Sequence, residues 1–168
     1  MIEAILYNIR SLHNVGSIFR TADGAGISKL YLCGITPTPL DRFGNKRLEL
    51  SKTALGAEDF IEWEKIGNSH SPQKTIYLIK NLKKKGYSVL AIEQNKRSIS
   101  YTKLNTKNHK SKIALIVGDE VKGIPQSILK NCDQVLEIPM KGKKESLNVS
   151  VAFGVAVYEI TNKLDKTK

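Results

Sequence analysis

Short apolar runs alternate along the chain with amphipathic stretches. Six of these runs have the length and composition of β-strands, and they cover residues 3–7, 30–33, 60–63, 87–92, 113–117 and 134–138. The runs around Val89 and Ile116 are continuously apolar, which is typical of strands buried on both faces of a parallel sheet. The pattern therefore predicts a mostly parallel six-stranded sheet with helices on both faces.

Helical periodicity fills the segments between these runs. Apolar residues at positions 15, 18, 19 and 22 share one helical face, and Asn14 stands at the expected N-cap. Further helices are predicted over about 72–85, 126–130 and 149–164. Strands that alternate with helices predict a single α/β domain over residues 1–164, followed by a frayed tail at 165–168.

The net charge of the chain indicates what class of partner the protein binds. The chain has 168 residues, with 27 Lys and Arg against 16 Asp and Glu, so its net charge is +11. Such a surplus of positive charge indicates a polyanionic partner, and nucleic acid is a better candidate than an anionic membrane surface. The alternative is a generally basic surface with no such partner. No apolar run reaches the length of a membrane span, and the N-terminus lacks the features of a signal peptide. We therefore expect no membrane partner.

Cysteine and histidine usage narrows the chemistry further. Cys33 and Cys132 are far apart and form no CxxC pair, which favours a reducing cytoplasm over a disulfide framework. The histidines at 13, 70 and 109 are scattered, so no metal site is expected. The glycine-rich signatures of dinucleotide and NTP sites are absent, as is a nucleophile elbow. Redox, NTP-hydrolysing and serine-hydrolase functions are therefore disfavoured.

Three segments rich in glycine and polar residues follow predicted strands, at the edge where parallel sheets bind ligands. They cover residues 13–20, 118–124 and 139–148. In the second, Gly118 lets a ligand approach the backbone and Glu120 offers an acceptor, although a plain strand–turn–helix joint is the alternative. In the third, the apolar residues 138–140 suit a flat purine ring, whereas Ser146 or Asn148 has the simpler alternative of capping the next helix.

Together and in this order, the three segments resemble motifs of the SpoU/TrmH family of RNA methyltransferases, in the SPOUT superfamily. The family's motifs are N-x-G-x-x-x-R, G-x-E-x-x-G and I-P-M-x-G-x-x-x-S-L-N-V-S. They are matched by Asn14, Gly16 and Arg20, by Gly118, Glu120 and Gly123, and by residues 138–150. Asp119 departs from the pattern, since the family often has a small residue or Asn there.

The resemblance implies an α/β domain with a C-terminal trefoil knot that binds S-adenosyl-L-methionine. It also implies a homodimer that methylates ribose 2′-hydroxyls of tRNA or rRNA. The positions that match the family's cofactor contacts are Gly118, Glu120, Ile138, Met140 and Leu147. The positions that match its catalytic residues are Arg20, Asn14, Glu120, Ser146 and Asn148. Arg20 would act at the other subunit's cofactor, either as a base or by stabilising the developing 2′-alkoxide.

The last predicted helix bears on the dimer. Its apolar residues are spread over more of the helix surface than a single buried face requires, and they include Val151, Phe153, Val155 and Val157. Burial within its own subunit and burial against a second copy both account for that pattern.

Lysines are the expected contacts to RNA. Lys141, Lys143 and Lys144 border the predicted pocket and are the first candidates. The other candidates are Lys83, Lys84, Lys85, Lys96, Arg97, Lys103, Lys107, Lys110 and Lys112.

The choice of RNA rests on two observations. Residues 86–94 resemble family members that modify a D-loop guanosine of tRNA. We also expect no extra N-terminal RNA-binding domain of the kind that many rRNA-directed members carry. The prediction is therefore a cytoplasmic tRNA ribose 2′-O-methyltransferase. An rRNA ribose 2′-O-methyltransferase and a non-catalytic RNA-binding module with the same fold are the alternatives.

Overall fold

A parallel sheet forms the centre of the computed structural model, which describes residues 1–105 and 112–165. Its strands are β1 (Ile2–Tyr7), β2 (Lys29–Cys33), β3 (Glu62–Ile66), β4 (Tyr87–Ile92), β5 (Ile99–Ser100), β6 (Lys112–Val117) and β7 (Gln134–Glu137). They lie in the order β3-β2-β1-β6-β4-β7-β5, and every neighbouring pair is parallel. The predicted α/β class with a parallel sheet is confirmed.

The prediction of six strands is wrong, because the sheet has a seventh strand at its edge. β5 is only two residues long and pairs through Ile99 with Leu136 of β7. Two residues are too few to show a periodic pattern, so the sequence gives no signal for it. The third strand is also displaced from residues 60–63, since Phe60 stays outside the sheet and is 82% exposed.

Helices cover both faces of the sheet, as predicted. They are α1 (Leu12–Gly24), α2 (Leu48–Ala54), α3 (Gln73–Lys84), α4 (Gln126–Leu129) and α5 (Val149–Asp165). Side chains of α1, α2 and α5 share one buried cluster on the first face. Those of α3 and α4 pack in a second cluster on the opposite face. Helix α2 was not predicted, and residues 166–168 of the predicted tail lie outside the described residues.

The first helix begins earlier than expected. Ser11, not Asn14, is its N-cap, and the Ser11 hydroxyl accepts a hydrogen bond from the Asn14 amide at 3.2 Å. The segment 13–20 is therefore the first part of α1 rather than a loop. Because Ser11 supplies the cap, the Asn14 side chain is available for contacts outside the helix.

Gly16 lies where α1 passes close to α2. A Cβ there would stand 2.3 Å from the Leu50 carbonyl oxygen and 2.2 Å from the Thr53 hydroxyl. The hydroxyl can rotate away, but the carbonyl belongs to the backbone of α2. Gly16→Ala should therefore lower the free energy of unfolding in urea by about 1–3 kcal/mol. Gly142→Ala is the control, since nothing lies within 4 Å of a Cβ there. Equal effects of the two substitutions would contradict this packing.

The helices differ from membrane spans. Within residues 1–105 and 112–165, no helix has both the length and the apolar character needed to cross a bilayer.

Candidate active site

A pocket of about 250 Å³ opens at the carboxyl ends of β4, β6 and β7. All five residues predicted to contact the cofactor line it, and they are Gly118, Glu120, Ile138, Met140 and Leu147. Ser146 and Asn148, which were predicted to be catalytic, line it as well. The second and third motifs, which are about 20 residues apart in sequence, therefore form one cleft.

The walls of the pocket combine two kinds of surface. Ile92, Ile138 and Leu147 give it an apolar side. Carboxylates also line it, including Glu93 and Glu137. This arrangement suits a ligand that has a flat apolar ring and a positive charge.

Glu120 ties the pocket to the start of α1. Its carboxylate accepts hydrogen bonds from the Arg10 amide at 3.0 Å, the Ser11 amide at 3.2 Å and the Asn14 side-chain amide at 3.0 Å. Burial opposes ionisation of this group, but the hydrogen bonds outweigh it and lower the pKa of Glu120. Glu120 is therefore an ionised anchor between two segments more than a hundred residues apart.

Asn14 and Asn148 extend this anchor into a line of hydrogen bonds. The Asn148 side-chain amide donates to Asn14 Oδ1 at 3.1 Å. Asn148 Oδ1 accepts from the Ser150 amide at 2.9 Å, which caps the start of α5. Asn148 therefore has both roles that the sequence left open, as a helix cap and as a polar group at the pocket.

The turn after β6 is held by Asp119, the residue that departs from the family pattern. Its carboxylate accepts from the amides of Val121 and Lys122 at 2.8 Å each and pairs with Arg10 at 3.2 Å. Burial opposes ionisation, yet the two amides and Arg10 lower the pKa of Asp119. Asp119, where the family often has a small residue or Asn, therefore adds hydrogen bonds and an ion pair that stabilise this turn.

Gly118 is needed for the close packing of this same turn, and not for space in the pocket. A Cβ on Gly118 would lie 2.5 Å from Ile124 Cγ1 and 2.8 Å from the carbonyl carbon of Gly123. The sequence suggested that this glycine makes room for a ligand. The structure shows that it makes room for the returning chain, which bridges Asp119 to Gly123.

Arg20 and Asn14 are the predicted catalytic residues that do not line the pocket, but Asn14 contacts the lining residues Glu120 and Asn148, whereas Arg20 contacts neither. It lies exposed on α1, about 1.7 helical turns beyond Asn14. Its side chain makes no hydrogen bond or ion pair with any residue in the described parts of the chain. Within one subunit, then, Glu120, Asn14, Asn148 and Ser146 converge while Arg20 faces solvent.

Glu93 is a pocket residue that sequence analysis missed. It follows β4, and its carboxylate accepts from the Ile124 amide at 2.7 Å and the Gln94 amide at 2.9 Å. It thereby joins the end of β4 to the turn after β6. Glu93 belongs to none of the three motifs, so its place at the carboxyl end of a buried strand was the only available signal.

The three first-choice RNA lysines lie at the rim. Lys141, Lys143 and Lys144 are all exposed, and the last two line a shallow cleft next to the pocket together with Met140. Among the other candidates, Lys107 and Lys110 lie outside the described residues, and Lys83 pairs with Asp133 at 2.7 Å.

The sequence profile of the SpoU rRNA Methylase family matches residues 1–158. Among curated relatives, the tRNA (guanosine(18)-2′-O)-methyltransferase of Aquifex aeolicus is 29% identical over 152 residues. That alignment covers 90% of this chain and 64% of the relative. The chain thus spans less than two thirds of the length of this curated relative.

Two solved structures share the fold. The AdoMet-bound rRNA methyltransferase from Sinorhizobium meliloti matches with a TM-score of 0.81 and 27% identity, over 96% of this chain and 56% of that one. A structure that concerns 2-OH methylation of C/U34 on tRNA matches with a TM-score of 0.76 and 25% identity. The second match covers 99% of this chain and 97% of the other.

Proposed function

Because the chain belongs to the SpoU rRNA Methylase family, we propose that it transfers a methyl group from S-adenosylmethionine to a ribose 2′-hydroxyl of RNA. The observation that carries this proposal is the single pocket built from the second and third motifs and linked through Glu120 to the first. The names of the relatives, which include 2′-O-methyltransferases, support the same reaction.

The pocket fits the methyl donor. When bound, S-adenosylmethionine supplies a methyl group on a positively charged sulfonium. Ile138 and Leu147 offer an apolar surface for its adenine, and Glu93 and Glu137 offer negative charge for its cationic part. A match with an AdoMet-bound structure supports this assignment.

The remaining residues would act on the ribose. Ser146 would donate a hydrogen bond to it, and the Asn14–Asn148 pair would orient it, since a hydroxyl must be held in line with the methyl group to react. We assign Arg20 to stabilising the developing 2′-alkoxide, because a guanidinium carries a permanent positive charge and five hydrogen-bond donors.

Arg20 would reach the pocket of a second copy of the chain. It is exposed and does not line its own pocket, as expected of a residue that acts across a dimer. Helix α5 supports a dimer, since Val151 is 51% exposed and Tyr158 is 46% exposed, whereas Phe153 and Val157 are buried in their own subunit. The apolar excess of α5 is thus divided between its own core and an open face.

The trefoil knot is part of the same proposal. From β4 the chain passes to β5, returns across β4 to β6, and then leaves again to place β7 between β4 and β5. Connections that cross in this way are rare in unknotted folds, and they agree with the threading that the family resemblance implies.

We propose tRNA as the substrate, and a D-loop guanosine as the nucleotide. The Aquifex relative named tRNA (guanosine(18)-2′-O)-methyltransferase supports both parts of this proposal. The full-length match with a structure that concerns C/U34 supports tRNA as the substrate but names a different nucleotide. Ribosomal RNA is the second candidate, because the AdoMet-bound match is named an rRNA methyltransferase. We place the activity in the cytoplasm, where the free thiols of Cys33 and Cys132 would stay reduced.

Incubation with labelled S-adenosylmethionine and total RNA tests the proposal. We expect the label in the tRNA fraction, and label confined to rRNA would favour the second candidate. Calorimetry with S-adenosylmethionine tests the cofactor site independently. No binding at high micromolar concentration would indicate a non-catalytic RNA-binding module instead.

Substitutions of Asn148 separate its two roles. Asn148→Asp keeps an oxygen to cap α5 but removes the amide that donates to Asn14, so methyl transfer should fall while the free energy of unfolding stays close to wild type. Asn148→Ala removes both contacts and should also cost about 1 kcal/mol of stability. Urea denaturation and initial rates measure the two effects. Full activity of Asn148→Asp would show that the contact with Asn14 is not needed.

A further inference from the structure

Helix α3 has an unusual charge pattern that the active site does not explain. Its 12 residues include Lys74, Lys80, Lys83 and Lys84, with no acidic residue, and Lys85 follows directly. Lys83 pairs with Asp133. The other four make no ion pair with any residue that the structure describes. Helix α3 therefore presents a face of uncompensated positive charge.

A groove runs beside this helix on the side of β2 and β3. It encloses about 620 Å³ and is lined by Lys74, Asn81 and Lys85 of the α3 segment. On the opposite wall, Lys29 is neutralised by Glu62 and Glu64, at 2.7 and 2.9 Å. Lys65 also lines the groove, but its ammonium donates to the carbonyl oxygens of Gly34 and Thr36. The net positive charge that α3 brings to the groove comes from Lys74 and Lys85. These lie about 16 Å apart along the helix axis, which is long enough for several phosphates of one strand.

An aromatic side chain stands among these cations. Tyr77 lines the groove and is 69% exposed, with Lys74 and Lys80 one helical turn away on either side. An exposed aromatic ring between lysines is the combination that binds RNA, because the ring stacks on an unpaired base while the cations hold the phosphates.

We propose that the α3 groove, formed by Lys74, Tyr77, Asn81 and Lys85, binds the RNA substrate outside the nucleotide that is methylated. This inference rests on the proposed function and adds a second contact surface to it. Lys74 lies at the carboxyl edge of the sheet, the same edge as the active-site pocket, because α3 starts shortly after β3 ends. An RNA strand that leaves the groove at Lys74 therefore continues onto the edge of the sheet where the active-site pocket opens.

The apolar side of α3 argues against a membrane as the partner. Helices that lie on a bilayer expose several large apolar residues on one face. On α3, Tyr77 is the single large apolar side chain among the described exposed ones, while Ile79 and Leu82 are buried against the sheet. The groove therefore offers charge and one stacking ring, but no surface to insert into lipid.

Paired lysine substitutions test the proposal by tRNA binding at a series of salt concentrations. Lys74→Gln with Lys85→Gln should weaken binding of unfractionated tRNA roughly tenfold near 0.1 M salt, and lower the salt-dependence slope by about 1 for each lysine. The control is Lys52→Gln with Lys130→Gln, which removes the same charge from exposed positions elsewhere and should have little effect. Equal losses in both pairs, or none in the first pair, would overturn the proposal.

Tyr77 supplies a second readout that is independent of charge. Tyr77→Ala should weaken binding of an unstructured RNA oligonucleotide about fivefold or more, whereas Tyr77→Phe should bind like wild type. If the lysine pair instead abolished binding to anionic lipid vesicles and left tRNA binding intact, the surface would be a membrane site.

The two proposals fail in distinguishable ways. S-adenosylmethionine affinity and the rate at saturating tRNA should be unchanged in the lysine pair, with only the KM for tRNA raised. If wild type binds tRNA through the groove but transfers no methyl group, the proposed function fails alone. Unchanged tRNA binding in both the lysine and the Tyr77 variants would reject the groove alone.

Discussion

Replacing Arg20 by alanine is expected to abolish methyl transfer while leaving S-adenosylmethionine affinity unchanged. The guanidinium is the only group we assign to the developing charge on the 2′-oxygen, and loss of such a group typically lowers kcat by about 10²–10³. Arg20 does not line the pocket of its own subunit, so the cofactor site should remain intact. Single-turnover rates and calorimetry measure the two quantities. Its side chain is exposed, so unfolding in urea should match wild type.

Arg20→Lys is the graded control for this experiment. Lysine keeps the charge but lacks the planar fork that grips a phosphate or an alkoxide with two donors, so activity should be intermediate. Activity equal to wild type in Arg20→Ala would remove Arg20 from the mechanism.

Mixed dimers test whether Arg20 acts across the interface. An Arg20→Ala subunit combined with a Glu120→Ala subunit contains one complete site only if Arg20 and Glu120 come from different chains. Mixing two inactive variants should therefore restore part of the activity. If the arginine acted within its own subunit, mixing would restore none.

Replacing Glu120 by glutamine is expected to lower both methyl transfer and cofactor affinity. The ionised carboxylate receives three donors from the start of α1, and a neutral amide oxygen accepts them more weakly. The turn after β6 and Asn14 would both lose their anchor. We expect a loss of about tenfold to a hundredfold in kcat/KM, together with weaker S-adenosylmethionine binding. A loss in rate with unchanged cofactor affinity would show that the anchor orients Asn14 alone.

The same substitution changes the response of the fold to acid. The pKa of Glu120 is lowered in the folded protein, because the hydrogen bonds outweigh the opposing effect of burial. Its stabilising effect is therefore complete above the pKa of an unfolded glutamate and is lost as the pH falls through the folded-state pKa. Urea denaturation should show a smaller acid-dependent loss in Glu120→Gln than in wild type. Asp23→Asn, which removes the same charge at an exposed position of α1, is the matched control. An equal change in both variants would contradict this role of Glu120.

The sequence predicted the features that depend on long or repeated patterns. The buried strands β4 and β6 were found because continuous apolar runs have one simple interpretation. The pocket was anticipated because its motifs follow strand ends, which share one edge in a parallel sheet. Strand β5 was missed because two residues make no pattern, and its pairing with β7 is set by tertiary packing.

Other features depend on contacts that no local pattern contains. The cap of α1 falls on Ser11, and the Asn14 side chain instead contacts Glu120, which is 106 positions away. Glu93 could not be singled out, since its partner amide at Ile124 comes from another loop. The position of Arg20 outside its own pocket likewise follows from the path of α1 and not from the motif spacing.

Nucleoside mass spectrometry of treated tRNA tests the central claim most directly. Purified protein is incubated with S-adenosylmethionine and unmodified tRNA, and the digested nucleosides are analysed for the site of methylation. We predict a nucleoside that carries the new methyl group on its ribose 2′-oxygen, present with wild type and absent with Arg20→Ala. A methyl group on a base, or no product from a protein that binds both S-adenosylmethionine and tRNA, would contradict the account.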